Sequence, residues 1–306
     1  MADKRYRFSQ FPDDQRARVK VFGLGSAGCN MIEGAPFPTV AFSTSSADLA
    51  RSTAERKVML GQDRLIGISQ SSHSILKHLP SVAGHEVVDI FNNTDLAFMM
   101  CGLGGVSGSL GAKMFASLAQ SKGTVDIVLA ASPFSAESIR RREFAGKILQ
   151  EMLGTASLCV EFDNDKLSTL APTLPMSRAF ALMNGIMLRP VMDMCATVSR
   201  MDMGLLKQVV GKATYGRFGL GLGRGDERVS RVVEEAMSSP WFDYDMSEAT
   251  SAIAVYSAAD PWDKEIENVL SALESRLPSA GIAWGSYADP ALNDRIRLSL
   301  IVCRKK

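Results

Sequence analysis

The chain has 306 residues, 46% of them hydrophobic and 22% charged, a globular composition rather than that of a disordered or collagen-like chain. Lys and Arg total 34 against 33 Asp and Glu, a net charge of +1, so a dominant polyanion-binding role is not indicated and no nucleic-acid partner is expected. The length allows one large domain or two of ordinary size, with a core that needs no disulfide or metal staple. Cys29, Cys101, Cys159, Cys195 and Cys303 include no C-x-x-C pair, which reads as buried thiols in a reduced, cytoplasmic protein. His73, His78 and His85 are the only histidines, and no metal site is expected from them. The amino-terminal stretch has no apolar run to serve as a secretory signal. No segment reaches the roughly 18 to 20 apolar residues of a membrane span.

Short apolar runs alternate with longer amphipathic stretches. Residues 18–23, 39–43, 95–101, 125–131 and 157–162 read as buried strands, several of them ending at glycine or proline. Helical patterns cover 86–91, 107–120 and 137–152. Strand–helix alternation with continuously apolar strands predicts a mostly parallel α/β sheet. Residues 176–197 form a long, Met-, Ala- and Leu-rich helical stretch with Pro190 inside it. It buries much of its circumference, as a core helix or as one running between domains. Beyond Arg200 the pattern changes to a smaller α+β arrangement. Helices are expected at 202–210, 226–238 and 261–277, and strands at 214–220, 251–256, 282–284 and 296–302. The expected organisation is 1–175, an α/β domain; 176–199, a central helix; and 200–306, a carboxy-terminal α+β domain.

The first strand runs into Gly23-Leu24-Gly25-Ser26-Ala27-Gly28, a G-x-G-x-x-G in which backbone can approach phosphate at a helix start. A dinucleotide-binding enzyme would place an acid after the second strand. That strand is followed by Ser43-Thr44-Ser45-Ser46, and Asp48 comes late. A second cluster, Gly102-Leu103-Gly104-Gly105-Val106-Ser107-Gly108-Ser109, follows the third strand and also enters a helix. Two such loops at strand carboxy-terminal ends can converge on one phosphate chain. No G-x-x-x-x-G-K-[ST] is present.

The second loop resembles the tubulin/FtsZ signature G-G-G-T-G-[TS]-G, and further motifs of that family follow in order. Asn30 stands where the family places a guanine-contacting Asn. Ser132 to Glu137 with Arg140-Arg141-Arg142 is similar to the sugar-binding loop. Asn164-Asp165-Lys166-Leu167 is similar to the N-D-x-L run. Ala179-Phe180 with Asn184 resembles the start of the central helix. Gly219-Leu220-Gly221 through Arg228, Met237 to Pro240 and Ala283-Trp284-Gly285 resemble the second domain. The resemblance covers about 19–302. It implies a parallel-sheet GTPase domain, a long central helix and a smaller α+β domain. It also implies GTP or GDP as ligand, with Mg²⁺, and head-to-tail self-association into filaments. The implied phosphate cradle is Gly25, Ser26, Ala27 and Gly28 with Gly104, Gly105, Val106, Ser107, Gly108 and Ser109. Glu137 and Arg141 would take the sugar, Phe180 would stack on the purine, and Asn30, Asn164 and Asn184 would meet the guanine edge.

The departures from the family fall on its catalytic parts. Val106 and Leu110 replace glycines of the phosphate signature. A β-branched residue disfavours φ > 0 and adds bulk where backbone meets phosphate, so reduced triphosphate affinity or a rearranged loop is expected. The γ-phosphate loop corresponds to 61–74, where only Gly67 remains inside the run. The family's N-x-D-x-x-D reads Arg200-Met201-Asp202-Met203-Gly204-Leu205. Asp202 keeps the first acid and Leu205 replaces the second, so slow or absent hydrolysis is expected. The chain stops at Cys303-Arg304-Lys305-Lys306, which reads as a solvated end and not a membrane anchor. Two other readings stand beside this one. The first is a nucleotide-independent scaffold or regulator of another FtsZ. The second is a Rossmann oxidoreductase.

Overall fold

The structure is a computed structural model that describes residues 5–9, 15–61, 65, 84–211 and 215–305. It divides into two compact units, Arg18–Leu188 and Met1–Ala17 with Arg189–Lys306. The division therefore falls inside the long helix and not at its ends. It also places the amino-terminal segment, expected in the α/β domain, with the carboxy-terminal unit. The physical reason is strand pairing, because β1 (Arg5–Arg7) hydrogen-bonds to a strand near the carboxy-terminus.

In the unit Arg18–Leu188 the order along the chain is β2 (Val19–Leu24), α1 (Gly25–Met31), β3 (Thr39–Ser43), α2 (Ser46–Arg51), β4 (Arg56–Met59), α3 (His85–Phe91), β5 (Leu96–Gly102), α4 (Val106–Lys122), β6 (Val125–Ser132), α5 (Ile139–Leu153), β7 (Leu158–Asp163) and a one-turn α6 (Leu167–Leu170). The six strands pair in parallel in the order β7-β6-β5-β2-β3-β4. Residues 96–101 of β5 are fully buried, as expected of a central parallel strand covered on both faces. Phe22, Phe42, Phe91 and Phe115 interlock beneath it with ring centroids 4.5 to 5.9 Å apart. Every strand of this sheet leaves its carboxy-terminal end at one edge, and the glycine loops after β2 and β5 lie there.

The long helix α7 (Met176–Thr197) follows, then α8 (Met203–Val210), β8 (Tyr215–Gly223), α9 (Arg228–Met237), β9 (Ser251–Ala258), α10 (Asp263–Arg276), β10 (Gly281–Ala288) and β11 (Ile296–Arg304). In the second unit β11 runs antiparallel between β8 and β9, β10 runs parallel to β9, and β1 adds in parallel outside β10. Helices α9 and α10 bury Val232, Val233, Ile266, Leu270 and Leu273 against Ile282, Leu298 and Leu300 of this sheet. The glycines of β8 have a packing cause. A Cβ at Gly219, Gly221 or Gly223 would lie 2.1, 2.0 or 2.0 Å from the carbonyl oxygens of Ala236, Val232 and Arg228. The backbone of α9 thus rests directly on the strand. Arg228, the end of the G-x-x-R run, pairs with Glu265 of α10 at 2.6 Å. All five cysteines are free thiols.

Candidate functional site

The two glycine loops meet backbone to backbone. Gly25 opens α1 at φ +70, and a Cβ there would lie 2.7 Å from the Gly108 nitrogen. A Cβ at Gly108 would lie 2.6 Å from the Gly102 oxygen, and one at Gly28 would lie 2.2 Å from the Met100 oxygen. The spacing G-x-G-x-x-G therefore seats α1 on β5 and against the start of α4. Neither α1, with Leu24 at its N-cap, nor α4, with Gly105, has a side-chain cap. Their first-turn N–H groups have no intrahelical acceptor, and both helices direct positive partial charge to the same strand ends.

The second loop departs from the expectation in two respects. Its positive φ falls on Gly104, at +90, and Val106 is not among the residues with positive φ. Val106 begins α4 in helical geometry, so the backbone penalty expected for a β-branched residue does not arise and only its bulk remains. The residue is 45% exposed. Ser109 is wholly buried, and its Oγ accepts the Gly104 N–H at 3.0 Å. It shapes the loop from within and uses one of the loop's amides. Ser107 Oγ shares a hydrogen bond of 2.6 Å with Thr44 Oγ1 at the end of β3.

A cleft of about 560 Å³ opens beside these loops. Ser26, Ala27 and Asn30 of α1 form one wall. Glu137 and Arg141 form another, and Asn164, Phe180 and Asn184 form a third. Eight of the residues expected from the sequence thus line one cavity. Gly25, Gly28, Gly104, Gly105, Val106, Ser107, Gly108 and Ser109 build the adjoining loops. Glu137 Oε1 accepts the Phe134 N–H at 2.9 Å, and its Oε2 pairs with Arg141 Nε at 2.9 Å. The Arg141 stem lies over Gly104, where a Cβ would come within 2.6 Å of Cγ. Phe134 and Phe180 meet edge to face at 5.8 Å. Asn184 Nδ2 donates to the Asn30 carbonyl at 3.4 Å. Asn164 Oδ1 is buried and accepts no hydrogen bond among the described residues.

Asp48 was discounted in the sequence as too late for a ribose acid, yet it supports the site. It accepts from Ser26 Oγ, from Ser43 Oγ at 3.1 Å and from Arg51 at 2.8 Å. The Ser26 hydrogen bond, with help from Arg51 and Ser43 against the cost of burial, holds its carboxyl below the usual range. The only sequence signal was a carboxylate two residues into a short helix after a strand end. The apolar lining, Leu103, Met31 and Met183, carried no signal distinct from core. Asp202 lies in the other unit. It is 3% exposed, with Oδ1 accepting from the Ser9 N–H and Oδ2 from the N–H and Oγ of Ser199. Most of the 61–74 run, with His73, and His78 beyond it, lies outside the described residues. Among the described residues no group of three His, Cys, Asp or Glu is placed to hold a metal ion. Among them too, no helix is long and apolar enough to cross a membrane.

With this geometry in view, comparisons with known proteins agree on one family. The Tubulin/FtsZ family GTPase domain matches residues 35–172, and the FtsZ family C-terminal domain matches residues 211–304. The chain is 30% identical over 300 residues to cell division protein FtsZ 1 of Archaeoglobus fulgidus, covering 93% of this chain and 81% of that protein. It is 29% identical over 306 residues to cell division protein FtsZ of Methanothermobacter thermautotrophicus, covering 95% and 80%. An empty FtsZ dimer from M. jannaschii superimposes with a TM-score of 0.81 at 25% identity, covering 95% of this chain and 89% of that one. The chain belongs to the tubulin/FtsZ family, as a divergent FtsZ-like protein.

Proposed function

We propose that the chain binds guanine nucleotide in the cleft beside the two glycine loops and associates head to tail into filaments, with slow or absent GTP hydrolysis. The observation that carries the nucleotide reading is the buried Asn164 Oδ1, an acceptor without a donor among the described residues, in a cleft lined by the amino-terminal turn of α1 and by Gly102 and Leu103 before α4. A buried acceptor left unpaired is costly, and a donor on a bound base or sugar would satisfy it. The helix starts suit the phosphates, Glu137 and Arg141 the sugar, and Phe180 with Asn30 and Asn184 the purine. Mg²⁺ is expected to enter with the triphosphate, whose charge it would neutralise.

The weak point of the catalytic set is α8. Leu205 stands in place of the second acid, and an alkyl group can neither orient nor deprotonate water. Loss of a general base costs roughly 10²- to 10⁴-fold in rate. A head-to-tail contact is heterologous and propagates when it does not close. The relatives are named as cell division proteins, and the process proposed for this chain is cell division or cell shape, in the cytoplasm. Calorimetric titration of nucleotide-free protein with GTP and Mg²⁺, with ATP as control, tests the reading. Selective GTP binding is expected, and no binding at high protein concentration sinks it.

Exposed Val106 and the occupied Gly104 amide favour a second reading, a nucleotide-independent scaffold or regulator of another FtsZ. Sedimentation with and without GTP, alone and mixed with a related FtsZ, separates the two. Assembly indifferent to GTP supports the scaffold.

A further inference from the structure

Asp202 is held by the beginning of the chain. Strand β1 lies beside β10 with Arg5, Tyr6 and Arg7 opposite Ile282, Ala283 and Trp284. Arg5 is clamped by Glu274 and Glu267 of α10, and the Arg7 guanidinium sits 4.9 Å from the centre of the Trp284 ring. Phe8 is 2% exposed, and its N–H donates to the Trp284 carbonyl at 2.6 Å. Gly285 makes the space, because a Cβ there would lie 3.0 Å from Phe8 Cδ2. The next residue, Ser9, donates its N–H to Asp202 Oδ1 at 2.9 Å.

The same loop is stapled a second time. Ala17 N–H donates to the Val198 carbonyl, Arg200 N–H donates to the Gln15 carbonyl, and Arg16 bridges Ser199 in antiparallel fashion. Ser199 in turn donates its N–H and hydroxyl to Asp202 Oδ2 at 2.8 and 2.7 Å. A carboxylate with three charge-assisted hydrogen bonds and almost no exposed surface is not open to water. The Ser9 N–H and the pairings of Gln15, Arg16 and Ala17 tie this loop to the amino-terminal segment.

We propose that residues 5–9 are a clasp that withholds Asp202, and that releasing them makes this carboxylate available to a neighbouring copy of the chain. The proposal rests on the head-to-tail reading above. There the carboxylate would accept the proton of a water whose oxygen adds to the terminal phosphorus as the bond to the diphosphate oxygen breaks, giving GDP and phosphate. Phe8 and Ser9 are then positioning residues, and the resting chain supplies no acid from this loop.

The test uses the full chain as Phe8→Ala, which loosens the strand, and Ser9→Pro, which removes the N–H that the amino-terminal strand segment donates to Asp202. Amide hydrogen exchange across 198–206, without nucleotide, is expected to quicken at least tenfold in both, with β5 protected as in wild type. GTP turnover is expected to rise in Ser9→Pro and to return to the wild-type level in the double variant Ser9→Pro/Asp202→Asn. Unchanged exchange in both variants overturns the clasp. Faster exchange with GTP bound and no gain in turnover overturns the withheld acid, as does a gain that survives Asp202→Asn. If GTP does not bind at all, the functional reading fails with the catalytic half of this proposal, while the exchange result still decides whether the clasp exists.

Discussion

Asn164 and Asp126 each have a buried oxygen that finds no partner among the described residues, and they sit at opposite ends of the parallel sheet. Asn164 faces the cleft, so its unpaired oxygen is expected to be answered by ligand. Asn164→Ala should weaken GTP binding about tenfold, roughly 1 to 2 kcal/mol, and leave the melting temperature of the free protein within a degree or two. Calorimetry and thermal denaturation check the two halves, and equal GTP affinity would remove Asn164 from the site. Asp126 has no such answer. Its Oδ1 accepts from Ser157 N–H at 3.0 Å and Oγ at 2.8 Å, and burial pushes its carboxyl up from 3.8 to about 7. The folded state then keeps a proton that the unfolded state releases. The stability this provides is fully present below about pH 4 and is lost as pH rises to about 7, by at most about 1.4 kcal/mol per pH unit. The stability of wild type relative to Asp126→Asn should therefore fall between pH 5 and pH 8. A flat difference would mean the carboxyl is not perturbed. Asn164 was legible through a motif, whereas Asp126, at the start of an apolar strand, was not, because burial of one carboxylate leaves no pattern in a single sequence.

The elements with apolar runs could be read from the sequence, and their ends moved by at most four residues, the largest shift being the end of β10 at Ala288. The ones missed, β1, α2, β4 and the one-turn α6, are three to six residues long. Of β4 only Val58 is buried, because an edge strand covered on one face has too few apolar positions for either period to appear. Glycine was harder still. The same residue type serves as hinge, as contact and as neither, and only packing tells these apart. Gly28→Ala would drive a Cβ to 2.2 Å from the Met100 carbonyl, and neither backbone can yield easily. Gly105 has φ −95 and open space around its missing Cβ. Gly28→Ala is thus expected to cost at least about 2 kcal/mol, and Gly105→Ala within about 0.5 kcal/mol of zero. Urea midpoints of the two variants measure the contrast, and similar values would mean that α1 is not seated on β5 as described.

At the scale of the whole molecule, sequence order was a poor guide to which residues belong together. The first seventeen residues join the unit that begins at Arg189, and nothing local to RYRFS announces a partner strand nearly three hundred residues away. The cleft was legible because its loops and side chains all lie within one unit and one continuous α/β alternation. The supply of a hydrolytic acid is a different kind of property, since Leu205 and the cleft belong to different units and, under head-to-tail association, to different copies of the chain. Restoring the missing acid by Leu205→Asp should leave GTP affinity unchanged, because Leu205 lies outside the unit that holds the cleft. It should raise phosphate release by about a hundredfold, the lower end of the range ascribed to a general base. The gain per chain should also grow with protein concentration, since the acid acts only when one copy meets another. Phosphate release measured over a range of protein concentrations checks the gain and its concentration dependence, and calorimetric titration with GTP checks the affinity. Rapid turnover by the wild-type chain would show that Leu205 was never limiting, and a gain independent of concentration would mean that the new acid acts within its own chain.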